Sequence, residues 1–132
     1  DDDPTDTNNN EQTNILTIGM DINLTQNVNN GQQLRGRLKK NDPSQNINVY
    51  KLKTGIVYNL NGIDFRFVKA KETSNKDSFI RNGDWVFLNR PNKGYIQWEE
   101  CNEGNMTYRI INNPNQASVN DYYCEAFRIR RV

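Results

Sequence analysis

GIVYNLNGIDFRF, from Gly55 to Phe67, decides how the rest of this 132-residue chain is read. Asn61-Gly62 is the dipeptide preferred in a two-residue hairpin turn, because both central positions of that turn need positive φ. A fold at this point sets Leu60 opposite Ile63, Tyr58 opposite Phe65 and Ile56 opposite Phe67, with all six side chains on one side. A slip of one residue would turn one strand's apolar set to water, so turn chemistry and hydrophobic pattern specify the same register.

The same period of two recurs along the chain. Leu16, Ile18, Met20, Ile22 and Leu24 alternate without interruption and read as one strand. In QQLRGRLK, Gln32–Lys39, Leu34, Gly36 and Leu38 share one face while Arg35, Arg37 and Lys39 share the other. NINVYKLK, Asn46–Lys53, changes phase midway, as a bulge would require. DWVFLNRPNKGYIQW, Asp84–Trp98, predicts a second hairpin with a four-residue loop from Arg90 to Lys93, which sets Trp85 opposite Trp98 and Phe87 opposite Ile96. MTYRIIN, Met106–Asn112, and YYCEAFRIR, Tyr122–Arg130, read as the last two strands. No internal repeat and no helical periodicity is visible. About nine short strands separated by turn signals predict an antiparallel β-sandwich with one disulfide. The alternative is a small closed β-barrel, lipocalin-like, with an interior ligand cavity.

Composition supports this reading. Apolar residues make up 34%, and Asn is about one residue in six, which suits turns because its side chain bonds nearby backbone and tolerates positive φ. The first twelve residues, DDDPTDTNNNEQ, hold five acids and no base. They carry −5 against +1 for the whole chain, which leaves +6 on the remainder. With no apolar side chain to repay ordering entropy, residues 1–12 read as a disordered acidic leader or tether, and residues 13–132 as a single all-β domain. DDDPTD resembles the acidic spacer that follows the lipidated cysteine of many bacterial surface lipoproteins. That resemblance implies an extracytoplasmic protein, secreted or anchored at the cell surface, with membrane contact only through an N-terminal lipid anchor. No apolar run is long enough for a transmembrane helix.

Cys101 and Cys124 are the only cysteines. In a loop-rich chain read as secreted they predict one disulfide, closing a loop worth about 3 kcal/mol in the chain-entropy account. NDYYCEAF, Asn120–Phe127, resembles the approach to the second cysteine of an immunoglobulin domain. The spacing contradicts that assignment. Both tryptophans precede Cys101, and too little chain follows Cys124 for a further hairpin. Tyr122, Tyr123 and Cys124 read instead as ordinary strand residues opened by Asp121.

The chain has no histidine, which removes the commonest general base and the usual nucleophile pairs. Two cysteines without histidine do not make a zinc set, and no cofactor or phosphate-binding motif is present, so neither metal nor cofactor is expected. Net charge is too low, and too diffuse, for a nucleic-acid binder. The remaining candidates are two surfaces. Arg35, Arg37, Lys39 and Lys40 form one basic group and Arg128, Arg130 and Arg131 another, which adjacent strands would merge into a patch for an acidic glycan or anionic surface. Trp85, Tyr95 and Trp98 are candidate sugar-stacking aromatics. Packing is the first reading of the two tryptophans, whose burial is worth about 4–6 kcal/mol each, and Tyr95 is the exposed candidate. Asn23-Leu24-Thr25 and Asn105-Met106-Thr107 are glycosylation sequons. The expected function is a non-enzymatic interaction module with a protein or glycan partner. A carbohydrate- or small-ligand-binding domain is the alternative, and a carboxylate hydrolase drawing on Glu99, Glu100, Glu103 and Glu125 is the distant one.

Overall fold

A computed structural model describes residues 14–17, 21–26, 33–37, 39–40, 51–60, 62–97 and 107–131. The fold is antiparallel β with almost no helix; among the described residues only Pro114–Gln116 form a 3-10 turn. The strands are β1 (Asp21–Gln26), β2 (Gln33–Arg37), β3 (Lys39–Lys40), β4 (Tyr58–Leu60), β5 (Ile63–Lys69), β6 (Trp85–Arg90), β7 (Gly94–Gln97), β8 (Thr107–Arg109) and β9 (Ala126–Arg131). They pair in the order β2-β1-β9-β6-β5-β4-β3, with β7 and β8 branching from β6. The branch arises because the first half of β6 pairs with β9 and its second half with β7. β2 ends at Arg37 and β3 begins at Lys39, so the two ends of the order are adjacent in the chain.

Leu16, Leu52 and Ile80 bring three further segments together. Leu16 N–H donates to the Ile80 carbonyl (2.9 Å), Ile80 N–H to that of Leu52 (2.9 Å) and Leu52 N–H to that of Leu16 (2.8 Å), a closed ring of three hydrogen bonds. All three side chains are fully buried, and eight positions after each stands another fully buried leucine: Leu24 in β1, Leu60 in β4 and Leu88 in β6. This threefold recurrence does not appear as a sequence repeat because its three copies are unequally spaced.

Alternation along the strands builds two cores. Tyr58, Leu60, Phe65, Phe67, Val86, Leu88, Ile96, Phe127 and Ile129 pack inward with Leu24 and the three ring residues. Phe87, Tyr95 and Ala126, one position out of phase, pack on the opposite face beneath Ile111, Ala117 and Val119. The connection from 110 to 125 therefore covers a face that a two-sided strand pattern would leave wet, which is why β6 and β7 are buried on both sides.

The first hairpin has the expected register: Tyr58 pairs with Phe65 and Leu60 with Ile63, while Ile56 packs against the same core from outside the strands. The second hairpin is one residue off. Asn89 pairs with Tyr95 and Arg90 with Gly94, leaving a three-residue loop in which Asn92 (φ 64°) takes positive φ, followed by Gly94 (φ 124°) at the start of β7. That one-residue shift in register separates Phe87 and Ile96 onto opposite faces. Leu16 and Leu24 do not continue one ladder: segment 15–17 bridges to 51 and 81, whereas β1 pairs with β2 and β9. Residues 119–125 form turns, not the start of a strand. Ser118 nucleates them, accepting the Tyr122 N–H at its carbonyl (3.1 Å) and the Asp121 N–H at its hydroxyl (3.1 Å). Cys124 lies there, half-buried. The expected bridge to Cys101, together with Trp98, Glu99, Glu100, Glu103 and Asn105, falls outside the described residues.

Candidate functional site

The two basic groups meet across β1. Asn23 pairs with Arg35 on one side and Arg130 on the other; Thr25 pairs with Gln33 and Arg128; Asp21 pairs with Arg37. These positions alternate with Leu24 and Ile129, both fully buried. Arg35 and Arg37 on β2 and Arg128 and Arg130 on β9 thus occupy the register set opposite the inner core, on the two strands that flank β1. Lys39 does not join them at this level, since it pairs with Asn59 of β4. Asn23, the first sequon residue, lies between two arginine positions in mid-sheet.

Trp85 extends the same row, because it pairs with Arg128 across β6 and β9. The Arg128 guanidinium lies 5.0 Å from the Trp85 ring and its Nε donates to the Gly83 carbonyl (3.3 Å). Thr73 fixes the Trp85 backbone from the other side, its hydroxyl accepting the Trp85 N–H (3.0 Å) and donating to the Trp85 carbonyl (2.7 Å). Half-buried Trp85 rests against the outer core, so its ring is both packing and part of an arginine-bearing face.

Tyr95 is buried rather than exposed. It is 8% accessible and meets Phe87 edge-on at 6.2 Å, and desolvation raises its phenol pKa. The sequence places it opposite the hairpin's inner face, but the 110–125 connection covers that side as well. The exposed large apolar residues among those described are Ile110 and Tyr123.

Two charged clusters lie away from this face. Lys69 ends the inward series Phe65, Phe67, Lys69 on β5 and is buried beside Asp84, which directly precedes β6. Lys69 Nζ stands 3.4 Å from Asp77 Oδ1 and 3.9 Å from Asp84 Oδ2 and donates to the Asn75 carbonyl at 3.2 Å. Arg81 grips Asp77 with two guanidinium nitrogens at 2.7 and 2.9 Å and thereby holds its carboxyl well below the usual range. Burial pushes Asp84 up to about 6, against the opposing hydrogen bond from the Arg81 N–H (2.9 Å) and the Lys69 charge. Burial likewise lowers the Lys69 amine. A charged residue closing an apolar period-two run is the sequence signal for this cluster.

Glu125 forms the second cluster. Its fully buried carboxylate accepts from Gln97 Nε2 at 2.6 Å and lies 3.4 Å from Arg109 Nη1. Burial raises its pKa over the opposing pull of those partners. Among the described residues its charged and polar partners are Gln97 and Arg109, with no second carboxylate beside it. Among the described residues no three Cys, Asp or Glu side chains gather as a metal set. Comparison with known protein families, curated proteins and solved structures finds no match.

Proposed function

We propose that this chain is a non-enzymatic interaction module that binds an acidic partner, foremost an acidic glycan, through the β2-β1-β9 face and the adjoining Trp85. The observation that carries this reading is the row Arg35–Asn23–Arg130, set beside Thr25–Arg128–Trp85, with the two arginine strands flanking one uncharged stretch of β1. Guanidinium groups at spacings set by neighbouring strands suit repeated carboxylates or sulfates, which they bind through paired donors. Trp85 adds an aromatic edge next to the cations, which favours a sugar polymer over a simple inorganic anion.

The architecture we assign is a closed β-barrel. Its support is the adjacency of β2 and β3 at the two ends of the strand order, together with the three-segment hydrogen-bonded ring. The barrel carries its ligand outside, because its interior is filled by aromatic and aliphatic side chains. A Cys101–Cys124 bridge belongs to the same proposal. No free thiol is found among the described residues, and the chain offers Cys124 one possible partner. Such a bridge places the working site outside the cytoplasm, secreted or tethered to the cell surface.

Heparin chromatography tests the reading. The protein is expected to be retained at low salt and released as salt screens the contacts. Arg35→Glu with Arg130→Glu should abolish retention, while Lys51→Glu with Lys53→Glu, on a segment that pairs with Thr17 and Phe79 and not with β1, β2 or β9, should leave it unchanged. Binding should also shift Trp85 emission. Equal loss in both double variants, or no retention of the wild type, overturns the assignment.

A further inference from the structure

We propose that the pocket between the β6–β7 turn and Ile110–Ile111 binds a sugar acid of monosaccharide size, its carboxylate on Lys93 and a hydroxyl on the Tyr95 phenol. The pocket has a volume of about 350 Å³, within the band typical of small-ligand sites. Buried Tyr95 and Ile111 line its deep side, and Ile110, 69% accessible, its rim. Asn89, Arg90, Asn92 and Lys93 supply the polar lining.

Three of these side chains carry hydrogen-bonding groups that the fold leaves unused. Tyr95 is more than nine-tenths buried, yet its hydroxyl has no hydrogen-bond partner among the described residues. Desolvation alone moves its pKa, with no hydrogen bond acting on it. A buried hydroxyl without a partner is costly, and such groups are few in a folded protein. Asn89 stands opposite Tyr95 in the hairpin register, and its amide is likewise unpartnered among the described residues. Lys93 Nζ lies 5.8 Å from the Tyr108 ring and meets no carboxylate among the described residues.

Charge selects an anion. Arg90 and Lys93 put two positive charges in the lining, and no acid lines the pocket among the described residues. Arg90 is fixed by neutral oxygens, the Asp64 carbonyl at 3.2 Å and the Tyr108 hydroxyl at 2.9 Å. The Asp64 carboxylate itself accepts from Asn59 at 2.8 Å. Hydroxyl groups select a sugar acid over a simple carboxylate. A carboxylate accepts only, which suits Lys93 and Arg90, whereas carboxamides and a phenol both donate and accept, as ligand hydroxyls do. Exposed Ile110 offers the carbon face of a ring an apolar contact. Tyr95 thus takes part through its hydroxyl and not as a stacking platform. Among the described residues β1, β2 and β9 contribute nothing to this lining, so this site and the arginine face stand or fall separately.

Amide chemical shifts of the ¹⁵N-labelled full chain, titrated with glucuronate, glucose and acetate, test this site. Glucuronate is expected to move Lys93, Gly94 and Ile110 saturably, with a dissociation constant on the order of 1 mM, and to bind severalfold more tightly than glucose or acetate. Lys93→Met, an exposed change, should weaken glucuronate severalfold. Tyr95→Phe should weaken it as well while leaving the urea midpoint unchanged or higher, because the lost hydroxyl has no partner in the protein. No response to glucuronate, shifts centred on β1 and β9 instead, glucose or acetate binding as tightly, or unchanged affinity in either variant overturns the proposal. So does a lowered midpoint in Tyr95→Phe, which would show that the hydroxyl is spent within the fold.

Discussion

Two charged clusters are buried on opposite faces of the same sheet, and they are built on different rules. At the inner end of β5, four charges of both signs, Lys69, Arg81, Asp77 and Asp84, share one neighbourhood. On the outer face a single carboxylate, Glu125, is fully buried against a neutral amide, with its cationic partner Arg109 half in water. The inner cluster closes an apolar interior, where Lys69 and Asp84 are only 8% and 10% accessible although Asp77 reaches solvent. The outer one lies under a turn, with a partner that water can solvate if the carboxylate is lost. Burial depth alone therefore does not rank the two, even though Glu125 is the more buried residue. What ranks them is where the surviving partner stands after one member is removed.

The largest effect should follow Asp84→Ala. It removes the acceptor of the Arg81 N–H and leaves Lys69 with one distant, committed carboxylate. Breaking a buried pair from one side costs about 3–5 kcal/mol. Urea unfolding should record that loss as a lower midpoint at constant slope. The double change Lys69→Met with Asp84→Leu should be milder than Asp84→Ala alone, because it removes both charges and leaves neither stranded. A single-variant loss below about 1 kcal/mol would show that the inner cluster behaves like a surface pair and would erase the contrast.

A pH scan sharpens the comparison at the next scale. The folded-state pKa of Asp84 lies above its unfolded value of 3.8, at about 6. Between those values the folded protein holds a proton that the unfolded chain has released, so Asp84 makes stability rise as pH falls from 7 toward 5. The shift sets an upper limit of about 3 kcal/mol on this gain. Glu125, also raised, acts with the same sign. Asp77 acts oppositely: its depressed pKa gives a contribution present above the unfolded value and lost as pH falls below it. Stability should therefore peak between about pH 4 and 6. Chemical denaturation across that range should show most of the acid-side gain vanish in Asp84→Asn and little of it vanish in Glu125→Gln.

The two hairpins explain how far the sequence could be read. Asn61-Gly62 leaves few choices, since positive φ at the turn and six apolar residues demand one register, and the β4–β5 pairing follows it. Around Pro91 the residues suit loops of three or four, and the apolar pattern could not decide, because Phe87 and Ile96 are both buried, on different faces. The same two-sided burial hid Tyr95. Alternation identifies an outward position, but not whether a distant segment such as Ile111–Val119 will cover it. Of the proposed binding face, the arginine alternation was legible, whereas its merger across β1 depended on strand order, which nonlocal pairing sets. The inner cluster was not legible because the apolar period read along this strand stops at Phe67, whereas Lys69 continues the inward series of Phe65 and Phe67.

The smallest effect should come from Glu125→Gln. The substitution keeps the side chain's length and leaves a carbonyl oxygen for the Gln97 amide, now 2.6 Å from Glu125 Oε2. It removes a buried negative charge that desolvation already disfavours, and it strands nothing, because Arg109 is about half exposed and stacks 4.6 Å from the Tyr122 ring. Loss of a charge-assisted bond and relief of desolvation then act in opposite directions, and the net change should stay within about 1 kcal/mol at pH 7. The variant should also lose whatever fraction of the acid-side stability gain belongs to Glu125, which the same denaturation series measures. A cost near that of Asp84→Ala would mean that Arg109 cannot reach water once its carboxylate partner is gone, and that the outer layer encloses its charges as tightly as the inner end of β5 does.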